Sequence, residues 1–306
     1  MSSPVAPTLL ILAAGMSSRY GGGSKQTDVM GPNGETLLDY SVIDARRAGF
    51  GRIVFVIRRE GEAAFRERVV SRLEPHLPVA LAYQEMTDLP PGFDFPGDRQ
   101  KPWGTGHAVW AARHAVREPF CVINADDYYG RDSFRVLGEE LCQADVNPTP
   151  HHWSSVGFRL RNTLSEHGKV ARGICEVRDG LLTGIEELTD IFKTADAAEN
   201  RAPEQPVRAL TGDEIVSLNM WGFTPAVFAD FGASFAAFLA KNGNSERAEF
   251  YIPTGVDAAL RAGRATCRVL PTASQWFGVT YQDDKPRVTA AVQALVDAGE
   301  YPSPLW

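Results

Sequence analysis

An α/β fold built on a doubly wound, mostly parallel, Rossmann-like sheet is predicted by three observations. Short continuous apolar runs alternate with stretches of helical periodicity through residues 9–125, the pattern of strands covered on both faces by helices. The first run stops at Gly15, where a loop rich in glycine and serine begins. The fourth run stops at Asp126-Asp127. With right-handed crossovers these ends fall on one sheet edge, the edge where such folds bind ligands.

The elements follow in order. Residues 9–14 read as a buried strand, and Met30-Gly31-Pro32-Asn33-Gly34-Glu35 as turn chemistry. Leu37, Leu38, Val42, Ile43, Ala45 and Ala48 recur at helical spacing and stop at Gly49. A strand at 53–57, a helix at 62–73 and a strand at 79–83 complete a βαβαβ alternation. Residues 84–103 break it with an irregular segment rich in proline and glycine, a length that in compact domains often serves function. Gly104-Thr105-Gly106-His107-Ala108 leads into a helix through Val116, and a strand at 120–125 follows. The second half is richer in strands, expected at 153–160, 173–178, 181–186, 215–223 and 265–270, with helices near 226–240, 250–262 and 284–298. Residues 194–214 read as an exposed polar loop. Without a repeat or a clean linker, residues 1–306 read as one domain, with halves 1–150 and 151–306.

Composition excludes several classes. A net charge of −7 without a block of Lys or Arg argues against a nucleic-acid partner. The four cysteines are scattered, with no zinc spacing, and fit a reducing compartment. No charged leader precedes the short apolar run at 9–14, so a cytoplasmic protein without membrane partners is expected, with a homo-oligomer left open.

The opening loop carries the chemistry. Glycines let backbone amides approach phosphate oxygens, and Arg19 and Lys25 add the charge that amides lack. Ser24 before Lys25, and Gln26 after it, rule out a Walker A loop; Ser17 breaks the dinucleotide fingerprint. Triphosphate binding remains, against the plainer alternative of a glycine-rich surface loop. Asp126, at a neighbouring strand end, is placed to hold Mg²⁺ against phosphate oxygens, although an Asp there also suits a turn.

The run from Leu12 through Ala14, Gly15 and Arg19 to Lys25 resembles the L-A-A-G-x-G-x-R…K signature of nucleotidyltransferases that join a nucleoside triphosphate to a sugar phosphate. Gly104-Thr105-Gly106-His107-Ala108 is similar to the G-T-G-H-A run of uridylyltransferases, and Asn124 to Gly130 to the G-D-N-x-Y-Y-G run of thymidylyltransferases. The resemblance implies catalytic roles for Arg19, Lys25 and Asp126. It also implies nucleotide contacts from Leu12, Ala14, Gly15, Gly104 and Thr105. Gln100 is the nearest candidate for the family's base-reading glutamine, with Arg99 at the expected spacing and Gln84 far upstream. His107 reads as structural, and Asp127 as a supporting or capping group.

Acceptor contacts are implied for Glu187, in place of an E-K-P run whose lysine is missing, and for Asn219 and Glu249. Gly278 stands where the family carries a second metal-binding Asp, which leaves Asp283 or Asp284 in that role, with Asp284 assigned here. The expected activity is Mg²⁺-dependent transfer from an NTP, UTP or dTTP foremost, to a sugar 1-phosphate. Cytidylyl transfer to phosphocholine or another small phosphate is the variant within the class, and a non-catalytic nucleotide-sugar-binding module stands outside it.

Overall fold

A computed structural model describes residues 5–14, 29–97, 99–145, 148–195, 197–203, 205–279 and 282–306. Gly15, Arg19 and Lys25 lie outside the described residues.

The first half runs β1 (Thr8–Leu12), α1 (Leu37–Arg47), β2 (Arg52–Ile57), α2 (Glu62–Phe65), α3 (Ser71–Leu73), β3 (Val79–Tyr83), α4 (Thr105–Ala111), β4 (Phe120–Asn124), β5 (Asp127–Tyr128) and α5 (Arg131–Cys142). A π-helical turn at Arg66–Val70 joins α2 to α3. The second half runs β6 (His151–Arg159), β7 (Val170–Arg178), β8 (Leu181–Lys193), β9 (Ala198–Asn200), β10 (Arg208–Leu210), β11 (Ile215–Phe223), α6 (Val227–Asn242), α7 (Ile252–Arg261), β12 (Ala265–Pro271), β13 (Phe277–Gly278) and α8 (Lys285–Asp297).

The doubly wound sheet is present and runs through both halves. Among the described residues it has eleven strands in the order β10-β9-β8-β12-β6-β11-β4-β1-β2-β3, with β7 bridging β11 and β8. Strands β3, β2, β1 and β4 are parallel neighbours, β11 is inserted antiparallel beside β4, and β6 and β12 resume the parallel direction. Their near-continuous burial is the reason they read as apolar runs: β1 and the Ile53–Ile57 run of β2 are buried at every position. Two hydrophobic clusters cover the two faces. One includes Leu9, Ile11, Phe55, Phe134 and Phe158, and the other Leu10, Val54, Trp103, Trp221 and Phe231. Alternate residues of β1 and β2 divide between them, as the pleat requires.

One local expectation is corrected, one helix is added and one irregular segment gains its anchors. The 194–214 stretch is not one open loop, because β9 and β10 pair within it and extend β8 as a meander. Helix α5 was not anticipated, although Phe134, Leu137 and Leu141 recur at helical spacing and are buried. The described residues of the 84–103 segment are irregular, as expected, and are tied down by side chains. The Trp103 indole N–H donates to the Met86 carbonyl at 2.9 Å, and Arg113 grips both oxygens of Asp88 at 2.7 and 2.6 Å. Among the described residues no helix is long and apolar enough to cross a membrane.

Candidate active site

The carboxyl ends of β1 and β4 meet at one edge, where Leu12 pairs with Asn124 and the Leu12 carbonyl accepts the Ala125 N–H at 3.1 Å. Ala14 is buried there as the chain leaves β1, and Leu12 packs in the core beside it. Asp126 lies two residues beyond the end of β4, half-buried.

Asp127, read from the sequence as a supporting or capping group, faces a cavity. Its carboxylate lines a polar chamber of about 220 Å³ together with Asn124, Arg172, Glu187, Asn219 and Trp276. The Asn124 side-chain amide donates to Asp127 Oδ2 at 2.9 Å. The buried Tyr129 hydroxyl accepts the Asn124 backbone N–H at 3.0 Å. It shares its one proton between Asp127 Oδ2 at 3.2 Å and the Leu218 carbonyl at 3.1 Å. Opposite stands Gly278, paired with Asp127 across the β5–β13 ribbon. A Cβ at 278 would lie 2.6 Å from Asp127 Oδ1, so a side chain at 278 requires the Asp127 carboxylate to move from its present place.

Asn219 reaches the chamber through a bulge. Between Ser217 and Trp221 the register of β11 against β6 slips, and Asn219 adopts φ 60°. Asparagine tolerates that left-handed conformation better than most residues, and a bulge re-aims the side chains it carries. The chamber continues, through shared Ala171, Glu187, Asn219 and Pro253, into a cleft of about 1110 Å³ that Thr105, Asp190 and Tyr251 also line. Glu187 keeps open surface there. The concave walls nevertheless push its carboxyl above the ordinary value, with Arg172 pulling the other way.

Arg172, absent from the sequence reading, is the cation of the chamber. It lies on β7 across from Leu188, next to the Gly173↔Glu187 pair, and is 8% exposed. Burial lowers its guanidinium to about 10, with Asp127 and Glu187 acting against that. The only sequence signal was a single arginine within the apolar run Val170-Ala171-Arg172-Gly173-Ile174.

The remaining expected residues are placed as follows. Gly104 has φ +98° and lies against the Phe250 backbone, with its carbonyl accepting the Gln84 amide at 2.9 Å. Thus Gln84, distant in sequence, sits beside Gly104, whereas Gln100 is exposed. Arg99 is buried and gives its N–H groups to the carbonyls of Lys101, Pro102, Ser245 and Ala248, which makes it a brace. The Thr105 hydroxyl accepts the Ile252 N–H at 3.1 Å, pinning the start of α7 while lining the cleft. His107 is buried between the Gln84 amide at 3.2 Å and the Asp88 carbonyl at 3.0 Å, a structural setting that lowers it to about 4 through burial. Glu249 pairs with Lys101 at 2.7 Å and lines neither cavity. Asp284 lines neither cavity; it is 1% exposed and accepts the Ser165 hydroxyl at 2.9 Å at the start of α8.

Residues 9–126 match the family described as the MobA-like NTP transferase domain. No curated protein sequence matches the chain. Solved structures share its fold over nearly its whole length. The inositol-1-phosphate CTP transferase from T. maritima is 12% identical, with a TM-score of 0.59 over 94% of this chain and 96% of that one. A Bacillus anthracis protein assigned as a glucose-1-phosphate thymidylyltransferase is 15% identical, with a TM-score of 0.61 over 94% and 96%. A UDP-glucose pyrophosphorylase complexed with UDP-glucose is 13% identical, with a TM-score of 0.58 over 95% and 99%.

Proposed function

We propose that this chain, whose residues 9–126 carry a MobA-like NTP transferase domain, is a nucleotidyltransferase that acts on a sugar 1-phosphate or a related small polyol phosphate. The observation that carries the reading is a single edge of the sheet. There the end of β1 lies beside the end of β4, and Asn124 and Asp127 line a chamber that opens into the larger cleft. An oxygen of the acceptor's phosphate bonds to the α-phosphorus of the NTP. The bond from that phosphorus to the bridging oxygen breaks, and its electron pair leaves with pyrophosphate. Such chemistry asks the protein for alignment and charge stabilisation rather than a covalent intermediate.

Arg19 and Lys25 are assigned to the phosphates of the NTP. Gly104 and Thr105 form the wall nearest the base, with Gln84 beside them. Glu187 and Asn219 accept and donate to acceptor hydroxyls. Asp126 and Asp127 suit Mg²⁺, since hard carboxylate oxygens beside phosphate are its preferred donors and Asp127 Oδ2 is oriented by Asn124 and Tyr129. Asp127 thereby replaces Asp284 as the second carboxylate in this reading. Mg²⁺, when bound there, supplies charge neutralisation to the triphosphate.

The test is pyrophosphate release by the purified protein across UTP, dTTP, CTP, ATP and GTP against sugar 1-phosphates, inositol 1-phosphate and phosphocholine. Pyrimidine triphosphates are expected to lead. CTP belongs in the matrix because the T. maritima protein of this fold is a CTP transferase. Turnover with no pair, or a clear preference for ATP or GTP, refutes the assignment of activity or of base respectively.

A further inference from the structure

Resting on the nucleotidyltransferase reading above, we propose that Arg172 is the residue that grips the phosphate of the acceptor. The argument begins with the hydrogen bonds of the guanidinium. Nε donates to the Thr163 hydroxyl at 3.1 Å, one terminal nitrogen to the Ala171 carbonyl at 2.7 Å, and the other to the Thr163 carbonyl. All three acceptors are neutral. Each terminal nitrogen keeps one N–H without an acceptor among the described residues, and no ion pair to Arg172 forms there.

A buried cation with only neutral hydrogen-bond partners is costly unless an anion completes it. The guanidinium is already fixed in place, stacked 4.5 Å from the Trp276 ring and tied to Thr163. It has therefore lost its side-chain freedom before any ligand arrives, which favours tight recognition of a tetrahedral oxyanion. Two further donors belong to residues lining the same chamber. The Ser217 hydroxyl and the Trp276 indole N–H are both buried without a partner among the described residues.

Position selects the acceptor's phosphate. The chamber of about 220 Å³ is bounded on one side by Asp127 and on the other by Glu187 and Asn219. A phosphate held by Arg172 would lie between the metal-side carboxylate and the groups assigned to acceptor hydroxyls, where the attacking oxygen must be. Arg172 also accounts for a missing charge. Residues 186–188 read Glu-Glu-Leu and carry no lysine, while β7 delivers an arginine beside Glu187 from across the ladder.

Orthophosphate is the probe. In a background with Arg19→Ala and Lys25→Ala, orthophosphate binding is followed by ³¹P line broadening. Adding Arg172→Met should weaken it about 10- to 100-fold, the range expected for one charge-assisted contact. Arg172→Lys should recover part of the loss. Glu187→Gln keeps the ties between Arg172 and Thr163 and removes a neighbouring negative charge, so it should tighten orthophosphate. In turnover, Arg172→Met should raise the KM for the acceptor and leave the KM for the NTP unchanged. If Arg172 only balances Asp127 and Glu187, orthophosphate affinity will be the same in Arg172→Met and will not tighten in Glu187→Gln. That result overturns the inference and leaves the nucleotidyltransferase reading intact. A wild-type protein that releases no pyrophosphate but binds orthophosphate through Arg172 fails the activity reading instead.

Discussion

Replacing Gly278 by alanine asks whether Asp127 serves the metal. The new methyl group would arrive 2.6 Å from Asp127 Oδ1 and 2.9 Å from a Trp276 ring carbon. Both are well inside van der Waals contact, and the β5–β13 pairing holds the backbone in place, so the Asp127 carboxylate is the group able to swing. Swinging removes Oδ2 from the Asn124 amide, now at 2.9 Å. Overpacking of this kind costs about 1–3 kcal/mol, and part of that is relieved as the short side chain rotates. Stability should therefore fall by about 1–2 kcal/mol. Displacing or disorienting a metal-bound carboxylate costs about 10–100-fold in metal affinity, and Asn124→Ala should fall in the same range by loosening the same oxygen. The assay is Mn²⁺ binding by electron paramagnetic resonance at fixed NTP, beside the Mg²⁺ concentration for half-maximal pyrophosphate release. If Gly278→Ala and Asp127→Asn both bind Mn²⁺ as the wild type does while melting earlier, Asp127 is a structural group and the metal assignment is wrong.

Three other outcomes are expected. Lys25→Ala should lower kcat about 10²–10³-fold with an unchanged circular dichroism spectrum, the cost of removing one preorganised donor, and near-wild-type turnover would remove Lys25 from the site. Gly104→Ala should destabilise the fold by about 2–3 kcal/mol, because φ +98° is nearly closed to side chains and the Cβ would lie 2.6 Å from the Phe250 carbonyl oxygen. A thermal melt within error of wild type would contradict this.

The third concerns pH. Burial raises Asp44 from 3.8 to about 7, opposed by the Tyr301 hydroxyl at 2.5 Å and by Arg47, and it lowers His107 from 6.5 to about 4. The folded state binds the Asp44 proton more tightly, so this contribution to stability is lost as pH rises from about 4 to 7. The unfolded chain binds the His107 proton more tightly, so that contribution is lost as pH falls from about 6.5 to 4. The two oppose one another. Denaturant melts across this interval should show stability rising with pH in Asp44→Asn and falling with pH in His107→Phe. Identical profiles in both variants would exclude these protonation states.

The sequence by itself determined the parallel first half. Leu9 to Leu12 and Ile53 to Ile57 are buried on both faces, and an apolar run bounded by glycine or aspartate needs no distant partner to be recognised. It also holds the local patterns, Gly15 to Lys25 and Asp126, whose residue types suit phosphate and metal and on which the proposed site rests. The 194–214 stretch escaped because β9 and β10 are three residues each and exist only through pairing with β8 and one another.

Tertiary structure alone brings the remaining candidate groups together. Gly278 reads as a lost carboxylate until the β5–β13 pairing shows Asp127 filling the same space. Gln84 is distant from Gly104 in sequence, yet the segment at 84–103 folds back and brings its amide to the Gly104 carbonyl. Arg172 belongs to no motif. The role proposed for it rests on burial, stacking on Trp276 and neutral partners at Thr163 and Ala171, and these depend on β7, β8 and β13 being assembled. Contacts within one loop are written in adjacent residues. Contacts across a sheet edge depend on register and on which strand lies next to which, and those are settled only when the whole chain has packed.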